Sequence, residues 1–230
     1  MQFFPINLDI SGRLCVVVGG GRVALRKAKS LVGCNAQVKV ISPVVHKDLE
    51  RLETDGALTV TRRNYRPGDL QGAFLVFAAT DNRRVQESVG REAAERKILL
   101  NSADDPARCD FQIPAKVRHG DLLLTISTGG ASPALSKSIR EQLEEQFGPE
   151  YGGIVELFAR VREIVVTDAD NSEGNRRIFH QMLESGIVQY AESGEWTKVR
   201  AILEKSLPAQ ADIESVMAGI SHVDHDEVKS

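Results

Sequence analysis

A short apolar strand that runs into three glycines constrains the fold of this chain more than any other feature. Leu14 to Val18 is followed by Gly19, Gly20 and Gly21 and then by residues that favour a helix. Gly19 and Gly21, with Ala24 at the third position, match the spacing GxGxxG/A. The first glycine of this pattern allows a tight turn, the second lets phosphates approach the backbone, and the third small residue lets the helix pack on the strand. The pattern therefore predicts a dinucleotide pyrophosphate site at the start of the helix, where free amides and the helix dipole favour anions.

The alternation of strand and helix continues beyond the glycines. The predicted apolar face of the first helix comprises Val23, Ala24, Leu31 and Val32, with Gly33 as the stop. Strands are predicted at Gln37 to Ile41 and at 57–60, 73–79 and 98–101, with helices at 45–52 and through Val85, Val89 and Ala93. Successive βα units predict an α/β fold with a Rossmann-like, doubly wound parallel sheet, whose ligand crevice lies beyond the carboxyl ends of the strands.

The end of the second strand bears on the choice of cofactor. NAD-binding domains usually place an acidic residue there to hold the ribose hydroxyls, but this chain has Ser42 and Pro43. No arginine stands beside Ser42 in the sequence to bind a 2′-phosphate, so NAD is favoured over NADP. Thr80 follows the buried strand at 73–79 and is predicted to lie on the same edge as a further cofactor-binding residue.

The pattern changes after Cys109. Strands are predicted at 111–115 and 122–127, separated by a polar turn at 118–121, and then a helix that Ser132 caps and Pro133 begins. Its narrow apolar face, which repeats every four residues, is typical of a helix buried against a partner, and a homodimer would supply one. The predicted organisation is a nucleotide-binding domain at 1–113, a small α+β dimerisation segment at 114–149, a C-terminal helical subdomain at 150–207 and a flexible tail at 208–230.

Composition narrows the class of protein. The 230 residues are 42% hydrophobic and 27% charged, with no apolar run long enough to span a bilayer and no signal-like start, so we expect a cytoplasmic protein without a membrane partner. The first 150 residues carry 21 Lys and Arg against 18 Asp and Glu, and the remainder 8 against 14. This balance makes nucleic acid an unsuitable partner. Three scattered cysteines indicate neither a disulfide framework nor a zinc site, and two histidines in the tail run 221–226 are read as solvated rather than metal-binding.

One carboxylate is the best candidate for acid–base chemistry. Asp104 follows the strand at 98–101 and is predicted to face the cofactor crevice, where nearby negative charge would raise its pKa. Asp105 precedes Pro106 and is read as a turn former, and His119 is the rival base in the predicted hairpin turn. The chain has no nucleophile elbow and no phosphate loop of the GxxxxGK[ST] type, which leaves chemistry carried by a nicotinamide.

Five blocks in order resemble the precorrin-2 dehydrogenase family of sirohaem synthesis. They are Val18 to Ala24 with Arg26 and Lys27, Phe77 to Asp81, Asn101 with Asp104 to Pro106, Cys109 to Phe111, and Ile126 to Pro133. The resemblance implies NAD-dependent oxidation of precorrin-2 to sirohydrochlorin, and in some relatives insertion of ferrous iron at the same site. It also implies a homodimer with interlocking middle segments.

The resemblance also implies roles for individual residues. Gly19, Gly21, Arg22 and Val23 would hold the pyrophosphate, Ser42, Pro43 and Val44 the adenosine ribose, and Asp104 would transfer the proton. Because the tetrapyrrole substrate is rich in carboxylates, the residues assigned to it are Arg108, Lys116, Arg118 and Lys137, together with Thr128, which keeps a hydroxyl before the double glycine. Two alternatives stay open: a regulatory domain that senses NAD without catalysis, and a chelatase without dehydrogenase activity.

Overall fold

The chain divides into two compact units, Met1–Ile113 and Pro114–Ser230. The computed structural model describes residues 3–103, 105, 108–166 and 172–220. The predicted Asp104 and the histidines of the tail lie outside these residues. Within the described ranges, no helix combines the length and the apolar character that a bilayer crossing requires.

A five-stranded parallel sheet organises the first unit. Its elements are β1 (Leu14–Val18), α1 (Arg22–Val32), β2 (Gln37–Ile41), α2 (Lys47–Thr54), β3 (Thr59–Thr61), β4 (Leu75–Ala78), α3 (Arg83–Arg96) and β5 (Leu99–Ser102). The strand order is β3-β2-β1-β4-β5, so the chain moves outward from β1 to β3 and then returns to the other side of β1. Ligands of such sheets bind where the strand order reverses, and here that point lies between the carboxyl ends of β1 and β4.

Helices cover both faces of this sheet, which confirms the doubly wound prediction. Cys15 and Val17 of β1 belong to the cluster that contains the buried face of α1. Val16 and Val18, on the opposite face, belong to the cluster that contains Val89 of α3. A strand buried on both faces requires an uninterrupted apolar run, and the LCVVV sequence of β1 supplies one.

The buried face of α1 differs from the predicted one. Ala24, Ala28 and Leu31 are the buried residues, at a spacing of four and three that keeps them on one side of a helix. Val23 is 40% exposed, so its assignment to this face is wrong. Val23 lies about 100° around the helix from Ala24, which turns its side chain away from the sheet. Gly33 is the C-cap, as predicted.

The first strand of the hairpin in the second unit begins later in the sequence than predicted. β6 (Ala115–His119) pairs with β7 (Leu122–Ile126), and His119 is directly opposite Leu122. The turn is therefore Gly120 and Asp121, and His119 is a half-buried strand residue rather than part of an exposed turn. Phe111, predicted as a strand residue, instead belongs to the first unit, where its ring makes an edge contact with Phe77 at 5.5 Å between centroids.

The helix after the hairpin begins as predicted. α4 (Pro133–Gln146) has Pro133 in its first turn, and the Ser132 side chain accepts a hydrogen bond of 3.2 Å from the amide of Leu135. None of the residues of α4 is buried, and the side chain of Leu135 is 52% exposed. The apolar face predicted from the sequence is thus present and only partly covered within this chain.

The described residues after α4 form the helices α5 (Glu150–Val165), α6 (Ser172–Glu184), α7 (Ile187–Glu192), α8 (Trp196–Ser206) and α9 (Ile213–Met217). Their common core includes Leu157, Met182 and Leu203. The sequence analysis missed α7 and α9 because both are short. It also assigned everything from residue 208 to a flexible tail, whereas Val216 and Ile220 are buried in this core.

Candidate functional site

The first two glycines after β1 are required by close packing. Gly19 has a φ of +128°, and a Cβ added there would lie 2.0 Å from the carbonyl oxygen of Ala79. A Cβ added at Gly20 would lie 2.0 Å from the carbonyl oxygen of Val44 and 2.7 Å from Oγ of Ser42. The turn therefore lies against the segments that follow both β4 and β2.

Gly21 has a different environment. A Cβ added there would meet no atom of the described residues within 4 Å. Gly21 is the N-cap of α1, no side chain caps this helix, and its first turn contains no acidic residue. The first-turn amides consequently lie beside open space without a side-chain acceptor, an arrangement that favours an anion. The residues present thus fit the predicted diphosphate.

The segment after β2 is hydrogen-bonded to the glycine turn. The amide of His46 donates to the carbonyl of Gly20 at 2.8 Å. Ser42 is 8% exposed, and its hydroxyl donates a 2.6 Å hydrogen bond to the carbonyl of Val44. Pro43 is exposed, and Val44 is 78% exposed. Because the Ser42 hydroxyl already donates its proton, a ribose hydroxyl could bond to Ser42 only as the donor.

Thr80 lies on the same edge, beyond β4. The amide nitrogen of Thr80 is 3.2 Å from the position that a Cβ on Gly19 would take, so the two residues are neighbours. Thr80 Oγ1 accepts from the amide of Asn82, and the Asn82 side chain in turn caps α3. The structure therefore brings the glycine turn, the Ser42 to Val44 segment and Thr80 together, as the sequence predicts.

Residues 109, 110 and 111, which follow β5 in the chain, each form a hydrogen bond with a residue of that strand. Cys109 Sγ accepts from the amide of Ser102 at 3.1 Å, and the side chain of Asp110 accepts from the amide of Leu100 at 2.9 Å. The Asn101 side-chain amide donates to the carbonyl of Phe111 at 2.9 Å. These bonds anchor both ends of the segment that contains Asp104.

A cavity of about 440 Å³ adjoins this segment. Arg83 at the start of α3, Ser102, Asp105 and Arg108 are among the residues that line it. Asp105 and Arg108 form an ion pair at 3.1 Å. The predicted substrate residue Arg108 thus already has a carboxylate partner within its own loop.

The remaining predicted substrate residues belong to the second unit. Lys116 and Arg118 are exposed on β6, and Lys137 of α4 is 3.7 Å from the carboxylate of Glu141. Thr128 Oγ1 accepts from the amide of Ser132 at 3.2 Å, so its hydroxyl helps to close the turn before α4. Their roles in substrate binding stay predictions.

Comparisons with known proteins agree with this geometry. Residues 6–115 match a family model described as "Putative NAD(P)-binding", and residues 120–146 match the model "Sirohaem biosynthesis protein central". Proteins named "Siroheme synthase" are similar over almost the whole chain: one from Nitrosococcus oceani is 33% identical over 95% of this chain, and one from Pseudomonas aeruginosa is 32% identical over 99%. These matches confirm the predicted resemblance to the proteins of sirohaem synthesis.

This chain spans about half the length of the curated relatives that it matches, 48% and 47% of the two named above. A solved structure titled "SirC, precorrin-2 dehydrogenase" is similar over 88% of this chain and 98% of its own, with 29% sequence identity and a TM-score of 0.73. The predicted family, the predicted fold and the nicotinamide dinucleotide domain are thereby confirmed.

Two residues beside the candidate site were not predicted from the sequence. Gly20 lies between the glycines of the motif, and the close approach of the Ser42 to Val45 segment makes a glycine necessary there. Lys27 of α1 is half-buried, and its ammonium nitrogen lies 4.9 Å from the centroid of the Phe77 ring. Lys27 was part of a block that resembles the family, but no local pattern indicated where its side chain ends.

Proposed function

We propose that this chain catalyses the NAD-dependent dehydrogenation of precorrin-2 to sirohydrochlorin in sirohaem biosynthesis. The observation that carries the proposal is the glycine turn at the point where the strand order reverses, with two glycines packed against neighbouring segments and Gly21 facing open space. Similarity to a precorrin-2 dehydrogenase along nearly its whole length supports this substrate over other substrates of dinucleotide-binding folds. The reaction removes two electrons and two protons from precorrin-2.

The described residues are suited to holding NAD. The amides of Gly21, Arg22 and Val23 would bind the diphosphate. The segment from Ser42 to Val44 would bind the adenosine ribose, and Thr80 would contact the cofactor at the edge of the crevice. NAD supplies the acceptor for the hydride when it is bound. Side chains and backbone groups of the protein would bind both ligands and remove the proton.

The neighbourhood of Ser42 supports NAD over NADP. The amide of Ser42 donates to the carbonyl of Thr61, so the arginines that follow β3 are its neighbours in space. Arg62 is 2.7 Å from the carboxylate of Glu53, and Arg63 is 2.6 Å from that of Asp69. Arginines with carboxylate partners are poorly placed to bind a 2′-phosphate, which supports the choice of NAD.

Asp104 is the proposed proton acceptor. Its own position lies outside the described residues, but the segments on either side of it are anchored at the carboxyl edge through Asn101, Cys109 and Asp110. A carboxylate there would take the proton that leaves precorrin-2 with the hydride. General base catalysis of this kind contributes about 10²- to 10⁴-fold to the rate.

The proposal is tested by an anaerobic assay that follows NADH formation with precorrin-2. We expect wild-type protein to produce NADH, and we expect Asp104→Asn to lose at least about 100-fold in kcat while its Kd for NAD stays the same. The matched control is Asp105→Asn, whose carboxylate is already paired with Arg108 and which should keep most of the activity.

Other outcomes assign other functions. Protein that binds NAD but forms no NADH with precorrin-2 would be a dinucleotide sensor, and protein that inserts iron into sirohydrochlorin without forming NADH would be a chelatase alone. An active Asp104→Asn variant would contradict the role of Asp104 and leave the dehydrogenase assignment intact. Fractionation of cells that produce the chain tests the cytoplasmic location that belongs to the same proposal.

We also propose that the chain forms a homodimer through α4. The support is the face of Leu135, Ile139, Leu143 and Phe147, which is not buried within the chain although apolar positions recur every four residues. A second copy of the same face would bury it and remove apolar surface from water.

A further inference from the structure

Lys27 directs a positive charge toward the ends of the central strands. It is the sixth residue of α1, and helical side chains incline toward the N-terminus of their helix, which here begins at the carboxyl edge of the sheet. Its ammonium nitrogen lies 4.9 Å from the ring centroid of Phe77, the third residue of the four in β4. The charge is thus placed beside β4, on the face of the sheet that α1 covers.

This cation has no carboxylate partner at ion-pairing distance among the described residues. Burial and the adjacent charge of Arg26 lower the pKa of Lys27, and the Cys109 thiol opposes this effect. The Phe77 ring attracts the ammonium group but carries no net charge. A partly desolvated cation without an anion is unfavourable in the unbound protein, and an anionic ligand would relieve that cost.

Two of the basic residues predicted to bind the substrate already have carboxylate partners, while the other two, Lys116 and Arg118, are exposed to solvent on β6 and so are not desolvated cations. Arg108 is paired with Asp105 at 3.1 Å, and Lys137 with Glu141 at 3.7 Å. An arriving carboxylate would have to displace these acids before it could bind there. Lys27 requires no such displacement.

The surroundings of Lys27 are held firmly in place. Phe77 is 3% exposed and makes an edge contact with Phe111. The carbonyl of Phe111 accepts a hydrogen bond from the Asn101 side chain, which ties this aromatic pair to β5. Lys27 therefore ends beside the two segments that flank Asp104.

We propose that Lys27 binds a carboxylate of the tetrapyrrole substrate. This inference rests on the proposed function and adds a substrate-binding residue to it. The diphosphate of the cofactor is the other anion that could reach this part of the sheet. The first-turn amides of α1 already offer hydrogen-bond donors to that diphosphate. The Lys27 ammonium instead lies beside Phe77 and near Cys109, on the side of β4 and β5.

The test compares three variants of the full chain. Lys27→Met removes the charge and keeps the length of the side chain, Lys27→Arg restores a charge, and Lys29→Met is the matched control at an exposed position of the same helix. The measurements are KM for precorrin-2, Kd for sirohydrochlorin by absorbance titration without NAD, Kd for NAD by calorimetry, and the denaturant midpoint.

We expect Lys27→Met to raise KM for precorrin-2 and Kd for sirohydrochlorin by about tenfold or more, since a hydrogen bond to a charged group is lost. Lys27→Arg should recover part of that loss, and Lys29→Met should resemble wild type. Kd for NAD should be unchanged in all three. The denaturant midpoint of Lys27→Met should equal or exceed that of wild type, because an unpaired and partly buried cation has been removed.

Several results would overturn the inference. An unchanged Kd for sirohydrochlorin in Lys27→Met, with wild-type protein active, would reject Lys27 and leave the proposed function standing. A weaker Kd for NAD would assign Lys27 to the diphosphate instead. A lower denaturant midpoint without rescue by Lys27→Arg would indicate a structural role. Wild-type protein that binds NAD but no tetrapyrrole would reject the proposed function and this inference together.

Discussion

Gly20 and Val44 are in backbone contact so close that a Cβ on Gly20 would lie 2.0 Å from the carbonyl oxygen of Val44. This contact joins the turn after β1 to the segment after β2, with the further support of a hydrogen bond from the His46 amide to the Gly20 carbonyl. Gly21, the next residue, has open space around it. Adjacent glycines in one motif therefore differ in their surroundings: Gly20 is enclosed by backbone, and Gly21 borders open space at the start of α1.

Substitution by alanine should have different effects at these two positions. Gly20→Ala should lower the free energy of unfolding by about 1–3 kcal/mol, because backbone must shift to admit the methyl group. Gly21→Ala should lower it by no more than about 1 kcal/mol, because alanine is a poorer N-cap than glycine but its methyl group would enter open space, and it should weaken NAD binding. Denaturant titration and calorimetry with NAD measure the two effects. Gly21→Ala with unaltered Kd for NAD would contradict the diphosphate site.

Ser42 should contribute more to the fold than to cofactor binding. Ser42→Ala removes the hydrogen bond to the Val44 carbonyl in a buried position, and we expect a loss of about 1 kcal/mol in the free energy of unfolding. Because that hydroxyl is already a donor within the protein, Kd for NAD should rise by less than about fivefold. Ser30→Ala, at an exposed position of α1, is the control. A large rise in Kd without loss of stability would show a direct bond to the ribose.

Glu92 of α3 should make the free energy of unfolding depend on pH in the acid range. It is 5% exposed and accepts hydrogen bonds from the Tyr65 hydroxyl, from Arg96 and from the amides of Gly68 and Leu70. Burial acts to raise the pKa of Glu92, but these bonds outweigh it and the net pKa is lowered. A carboxyl whose pKa is lower in the folded state stabilises the fold above its unfolded pKa, and this contribution is lost as pH falls through the folded value.

The Glu92→Gln variant tests this dependence. At neutral pH it should lose about 2 kcal/mol of unfolding free energy, because hydrogen bonds to a charged acceptor are weakened. Below the folded pKa of Glu92, the difference from wild type should shrink. Urea titrations across the acid range measure both, with Glu95→Gln at an exposed position of the same helix as the control. A difference that stays constant with pH would exclude the ionised carboxylate as the cause.

A charge introduced at Leu135 should weaken the proposed homodimer and leave the fold of the chain unchanged. Leu135→Glu places a charge on the apolar face of α4 at a position that is 52% exposed, so the helical content and the denaturant midpoint at low concentration should stay near those of wild type. Sedimentation should show a weaker dimer, by at least about tenfold in Kd. Ala134→Glu adds the same charge on the opposite side of the helix and should leave association unchanged. Equal sedimentation of all three proteins would exclude this face as the dimer contact.

Local patterns in the sequence were sufficient to predict several elements and helix caps of both units. β1 and β2 have the predicted bounds, Asn82 and Ser132 cap their helices, and Ala24 is buried where the motif requires a small residue. Apolar runs, helical periodicity and caps depend on residues close together in the chain, so they can be read from sequence. The start of the first hairpin strand could not be predicted in this way, because Phe111, which lies in the predicted strand, instead packs against Phe77, far earlier in the chain.

The sequence by itself determined the class of fold, the presence of a nucleotide-binding domain and the family resemblance, since the glycine spacing, the succession of strands and helices, and the five sequence blocks encode these. Only the tertiary structure decided why Gly20 must be glycine, that the Ser42 hydroxyl is already a donor, and that Lys27 ends beside Phe77 with no carboxylate partner among the residues that the structure describes. The contacts of Gly20 and Lys27 join segments far apart in the chain, whereas the Ser42 bond is local and depends on how the segment after β2 is folded against the glycine turn. The distance between such segments is set by the packing of helices on the sheet, and no local pattern of residues records it.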